Sequence, residues 1–200
     1  MNSENIKHGI ERAPNRSLLF ALGLTEEELL ADCRAAYGED RFPGGAAPLC
    51  KVDPEVTALE LWHGPTCAFK DMALQVMPRL LSRALTKTEE KRTAFILVAT
   101  SGDTGKAALE GYKDVNGIKI MVFYPVDGVS KIQKLQMATQ EGDNVSVCAV
   151  YGNFDDAQTG VKKIFADKEF AKELDEKGYQ FSSANSINIG RLIPQVVYYV

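Results

Sequence analysis

A fold of the α/β class, a parallel sheet with flanking helices, is predicted by two features of the chain. Short apolar runs alternate with segments of helical spacing from Ala94 to Lys177, which is the pattern of successive βαβ units. The 200 residues, 45% hydrophobic and 25% charged, are also enough to bury one sizeable core.

The elements follow in order. Leu18 to Ala36 has helical spacing, and Thr25 with Glu28 has the form of a capping box that starts a second helix after Gly23. Arg41 to Pro48, rich in Gly and Pro, reads as a loop, and Ala58 to Trp62 as a short strand. Phe69 to Leu85 carries apolar residues on one helical face, with Pro78 expected to kink or break it. Ala94 to Ala99, Ile118 to Tyr124 and Val145 to Val150 are the expected strands of the sheet. Thr104 to Asp114 and Ser130 to Gln140 are the helices between them, and Phe154 to Lys177 supplies one or two more.

Several function classes are disfavoured. A net charge of -4 with Lys and Arg scattered among acids gives no field for nucleic acid. No apolar run approaches the roughly 18 residues of a membrane span, and the first residues lack a leader's apolar stretch. Cys33, Cys50, Cys67 and Cys148 lie far apart, and with His8 and His63 they make no zinc spacing, so no metal is expected. Buried free thiols in a reducing cytoplasm are the expectation.

Two segments carry candidate chemistry. Thr100 to Gly105 (TSGDTG) joins a strand to a helix and offers hydroxyls, a carboxylate and orphan N–H groups suited to an anion. The alternative is that Thr100 or Ser101 only caps the helix. The second segment is His63 to Asp71 (HGPTCAFKD). A lysine in the first turn of a helix, beside Cys67, Ala68 and Phe69, meets the positive end of the dipole and a poorly solvated setting. Both disfavour the ammonium, and a neutral amine can attack a carbonyl. The alternative is a surface lysine paired with Asp71 or another nearby acid.

Taken together, ELWHGPTCAFKDMALQ (Glu60 to Gln75) and TSGDTGKAA (Thr100 to Ala108) resemble the threonine synthases. Stretches beginning at Phe123, Tyr151 and Ser182 agree, so the resemblance runs from about Leu29 to Val200. It implies a partial tryptophan synthase β-like pyridoxal phosphate fold. It also implies a carbon–oxygen lyase, with pyridoxal 5'-phosphate, that turns O-phospho-L-homoserine and water into L-threonine and phosphate. Lys70 would be the catalytic lysine and cofactor anchor, and Asp103 would face the cofactor ring hydroxyl. Ser101, Gly102 and Thr104 would receive the substrate carboxylate, and Asn185, Ser186, Asn188 and Arg191 the substrate phosphate. For Asn185 to Asn188 a turn and helix cap is the alternative, and for Arg191 a surface ion pair.

Two departures from that pattern set further expectations. The family's glycine-rich loop for the cofactor phosphate is not found, and Gly152-Asn153-Phe154, followed by Asp155 and Asp156, reads as a helix start instead. Residues 1–29 resemble the beginning of dihydroxy-acid dehydratases, which suggests an appended segment 1–28 before a catalytic region 29–200. Weak cofactor binding, weak or absent turnover and self-association through uncovered apolar faces are therefore expected. A serine or threonine dehydratase, or an inactive protein acting by association, are the competing readings.

Overall fold

A computed structural model describes residues 23–186 and 188–199. Part of the helix expected from Leu18, and most of the segment resembling a dehydratase, lie outside these residues. The first described helix, α1 (Glu26–Tyr37), starts as its sequence requires. The Glu28 amide donates to Thr25 Oγ1 at 3.2 Å and the Thr25 amide to Glu28 Oε2 at 2.8 Å, while three acids occupy its first turn. The expected join at 28/29 falls inside this helix. Leu24 and Leu29 pack with Val76 and Leu80, and Arg83 grips Asp32 through two bonds of 2.6 and 2.8 Å.

The strand expected at Ala58 to Trp62 is shorter and is not part of the sheet. β1 (Leu49–Lys51) and β2 (Thr57–Leu59) form a separate antiparallel hairpin, closed by Asp53 Oδ1 accepting from the amides of Glu55 and Val56. The helix expected from Phe69 to Leu85 is two, α2 (Asp71–Leu74) and α3 (Met77–Lys87). Pro78 opens α3, where its missing N–H costs nothing, so the break falls before it.

The sheet contains β3 (Thr93–Ala99), β4 (Ile118–Pro125), β5 (Val145–Val150) and β6 (Tyr179–Ser182), ordered β5-β4-β3-β6 and parallel throughout. Connecting them are α4 (Asp103–Tyr112), α5 (Lys131–Ala138), α6 (Phe154–Ala166) and α7 (Lys168–Glu176). Asp167 caps α7 and divides the long charged run in two. Alternation sorts the two faces of the sheet. Ala94, Ile96, Val98, Ile118, Ile120 and Val122 meet α4 and Met137 of α5 in the main core. On the other face Phe95 and Phe181 stack, with Phe165 and Phe170 against Phe181. The last helix, α8 (Ile189–Val196), packs against α2.

No helix among the described residues is long and apolar enough to cross a membrane. The expectation of buried thiols is corrected. Cys50, Cys67 and Cys148 are exposed, on the hairpin, a loop and the edge strand, and Cys33 is intermediate.

Candidate active site

The segment before α2 is folded back on itself. Thr66 donates to Asp71 twice, from its amide to Oδ2 at 2.9 Å and from Oγ1 to Oδ1 at 2.8 Å. Asp71 is fully buried, and burial pushes its carboxyl above the usual range against the pull of these bonds. It is therefore not the partner of Lys70. Lys70 Nζ instead lies 2.5 Å from Asp103 Oδ2 and 4.3 Å from the centre of the Phe69 ring. The apolar setting read from the local sequence is thus joined by a carboxylate 33 residues away. His63 pairs with Glu60 at 2.6 Å and stacks on Trp62.

Asp103 opens α4, and the turn before it is shaped by Thr100, one of the two residues expected to cap the helix. Thr100 is buried, and its Oγ1 accepts from the amides of Gly102 at 3.0 Å and Gly105 at 2.9 Å. Part of the capping alternative therefore holds, but for Thr100, which leaves Ser101 and Thr104 free to face a cleft. Gly102 has φ 150°, and a Cβ there would lie 2.3 Å from Gln133 Oε1. The backbone angle is what requires glycine, since the end of the Gln133 side chain could swing aside.

The cleft, of about 450 Å³, is lined by Ser101 and Thr104 from this turn, Asn185 and Ser186 from the loop after β6, and Arg191 from α8. Gln158 and Lys162 of α6 complete its polar wall. Sequence reasoning missed these two, although amide and cationic side chains one turn apart on α6 were a usable signal. Arg191 is not a surface ion pair. It is buried, donates from Nη1 to Ala184 O at 3.0 Å, and has no partner for Nε among the described residues. Burial lowers its pKa, opposed by the Asp103 charge. Asn188 takes the alternative role. Its Oδ1 caps α8 by accepting from the Gly190 amide at 3.0 Å, and its Nδ2 donates to Ser183 O at 2.9 Å. Gly152-Asn153-Phe154 is a helix start, with Asn153 and Asp156 in a reciprocal cap.

No family model matches the chain. Over 173 residues it is 46% identical to a threonine synthase of Pseudomonas aeruginosa, an alignment covering 86% of this chain and 34% of that protein. A structure of PLP-bound threonine synthase from Brucella melitensis superposes with a TM-score of 0.76 at 40% identity, over 86% of this chain and 36% of that one. The chain is homologous to part of threonine synthase. The yeast threonine synthase structure gives the same TM-score of 0.76 at 33% identity, over 100% of this chain and 41% of that one. The chain thus spans about a third of the first threonine synthase it matches. The parallel sheet with its flanking helices is the fold of these threonine synthases. The resemblance of residues 1–29 to dihydroxy-acid dehydratases is not borne out by these comparisons. Residues 24–29 instead pack with the body of the threonine synthase-like fold through Leu24 and Leu29.

Proposed function

We propose that this chain is the cofactor-anchoring part of a threonine synthase, a pyridoxal phosphate-dependent carbon–oxygen lyase acting on O-phospho-L-homoserine and water. The observation that carries this reading is the pairing of Lys70 with Asp103 at the N-terminus of α4, the helix whose opening turn also lines the cleft.

The donor set fits pyridoxal phosphate. Lys70 offers an amine for its aldehyde and Asp103 a carboxylate for a polar ring position, while the buried guanidinium of Arg191, with no partner for Nε among the described residues, is left for the substrate. Bound there, the cofactor would supply the electron sink for carbon acids that no side chain provides. Lys70 Nζ would hold the aldehyde and then, released, move protons at the substrate carbons. Asp103 would orient Lys70 in both tasks. Ser101, Gly102 and Thr104 would bind the substrate carboxylate at the positive end of α4. Asn185, Ser186 and Arg191 would take the phosphate, whereas Asn188 would act by holding their loop through its cap. The phosphate-binding cluster favours a phosphorylated substrate over the serine or threonine of a dehydratase. The cytoplasm belongs to the same proposal.

The test is addition of pyridoxal phosphate to the wild type and to Lys70→Ala, read by visible absorbance and by borohydride trapping on the Lys70 peptide. Uptake by the wild type alone is expected. Equal uptake by both removes Lys70 from the role. Comparing turnover of phosphohomoserine and of threonine separates the synthase from the dehydratase.

A second reading is favoured by the exposed apolar side chains of Leu49, Val52, Val56 and Trp62 on and beside the hairpin, and by Val196, Val197 and Tyr199 at the end of α8. These surfaces would let the chain associate with itself or with a partner. A mass in solution equal to one chain counts against self-association.

A further inference from the structure

Asp71 is a fully buried carboxyl with no ion-pair partner among the described residues, and the reaction proposed above gives it no task. Burying such a group is costly unless it is hydrogen-bonded, so what its bonds hold in place is informative. Its two oxygens both go to Thr66, closing a ring that contains only Cys67, Ala68, Phe69 and Lys70. Two further features tighten that ring. Cys67 adopts φ 57°, a conformation non-glycine residues rarely hold, and the Asp71 amide donates to Ala68 O at 2.9 Å. Gly64 lies so close that a Cβ on it would sit 2.5 Å from Asp71 Oδ2. Asp71 is thus clamped by Gly64 and Thr66, while its neighbour Lys70 is left to reach Asp103.

We propose that Asp71 is a positioning residue which, through Thr66, holds the 66–71 loop in the one shape that presents Lys70 Nζ to Asp103. The loop geometry stands by itself, and the catalytic consequence rests on the function proposed above. The Asp71 carboxylate is buried against Thr66 and is not among the residues that line the cleft, so its effect travels through the backbone of Lys70. Thr66 is its main partner, because its amide and its hydroxyl each donate to one oxygen of the carboxylate, beside a backbone bond from Ala68.

The test uses a carbodiimide, which joins a carboxylate and an amine into an amide only when they are in contact. Peptide mass spectrometry of the full chain then reads the Lys70–Asp103 cross-link without any cofactor. Wild type should cross-link. Thr66→Val, which deletes one bond to Asp71, should lose roughly fivefold in yield while staying folded, in line with the population shift from one lost buried hydrogen bond. Thr66→Ser, which keeps both bonds, should restore the yield, and Asp71→Asn should fall between. A folded Thr66→Val with wild-type yield overturns the proposal. So does an absent cross-link in the wild type, failure of Thr66→Ser to rescue, or a Thr66→Val chain that does not fold at all, since the bond is then only structural. A wild type that cross-links but takes up no pyridoxal phosphate overturns the cofactor reading and leaves the positioning role standing.

Discussion

Gly111 in α4 and Gly160 in α6 allow one chemical change to be tried in two settings. A methyl group on Gly160 meets nothing within 4 Å. Alanine is favoured over glycine inside a helix by about 1 kcal/mol, so Gly160→Ala should raise Tm by about 2–4 °C in a chain of this size. On Gly111 the same methyl would lie 1.8 Å from the backbone oxygen of Leu74 and 2.7 Å from its carbonyl carbon. Reaching an ordinary contact of 3.4 Å requires α2 and α4 to part by about 1.6 Å, the difference between the two distances. The obstacle is backbone and cannot rotate away. Overpacking costs about 1–3 kcal/mol, and a shift this large belongs near the upper end. Set against the propensity gain, Gly111→Ala should lose about 2 kcal/mol, a fall of about 4–8 °C. Equilibrium urea unfolding with an unchanged m-value measures both variants. Because α2 begins at Asp71, the Gly111 variant should also weaken the Lys70–Asp103 cross-link. A Gly111→Ala midpoint at or above wild type would refute the claim that the two helices touch through this glycine.

Three further outcomes are expected. Burial pushes the Cys33 thiol up to about 11 from 9.0, so at neutral pH it should react with disulfide reagents about 100-fold more slowly than an unshifted thiol. Titration should show three fast thiols, the exposed Cys50, Cys67 and Cys148, and four fast equivalents would contradict this. Arg92 hydrogen bonds hold Glu90 down to about 2, so the stability of that pair is present above 4.5 and lost as pH falls through about 2. An NMR titration of Arg92→Ala should return Glu90 toward 4.5. Asp71 has the opposite sign. Its pKa is raised by burial, so its contribution to stability is greatest below 3.8 and declines as pH rises through its folded value. The unfolding free energy of Asp71→Asn relative to wild type should therefore improve with pH over that window, and a flat difference would count against the raised pKa.

The sheet was legible because its strands are apolar runs bounded by turns. β5 begins and ends where the sequence predicts, and β3 and β4 differ by one residue at one end. Local chemistry was equally readable at the Thr25–Glu28 and Asn153–Asp156 caps, where the bonding partners are three residues apart. Long-range partners were not. Nothing near Lys70 announces Asp103, and the local sequence offers Asp71 as the closer acid, yet folding turns Asp71 inward to Thr66. Arg191 read equally well as a surface ion pair until the packing of α8 buried it.

One missed strand accounts for the rest of the site. β6 is four residues long and half-buried throughout, so neither periodicity nor an apolar run marks it. It exists because it pairs with β3, from Thr93 opposite Tyr179 to Ile96 opposite Ser182. That pairing reverses the strand order. β3 leads through α4 to β4 on one side, while β6 lies on its other side. Such a reversal opens a crevice beyond the carboxyl ends of two adjacent strands. The Thr100–Gly105 turn leaves β3 there and residues 183–186 leave β6, so residues about 85 apart in the chain line one cleft. The proposed carboxylate and phosphate ends of the site therefore depend on a strand whose own sequence carries almost no strand signal.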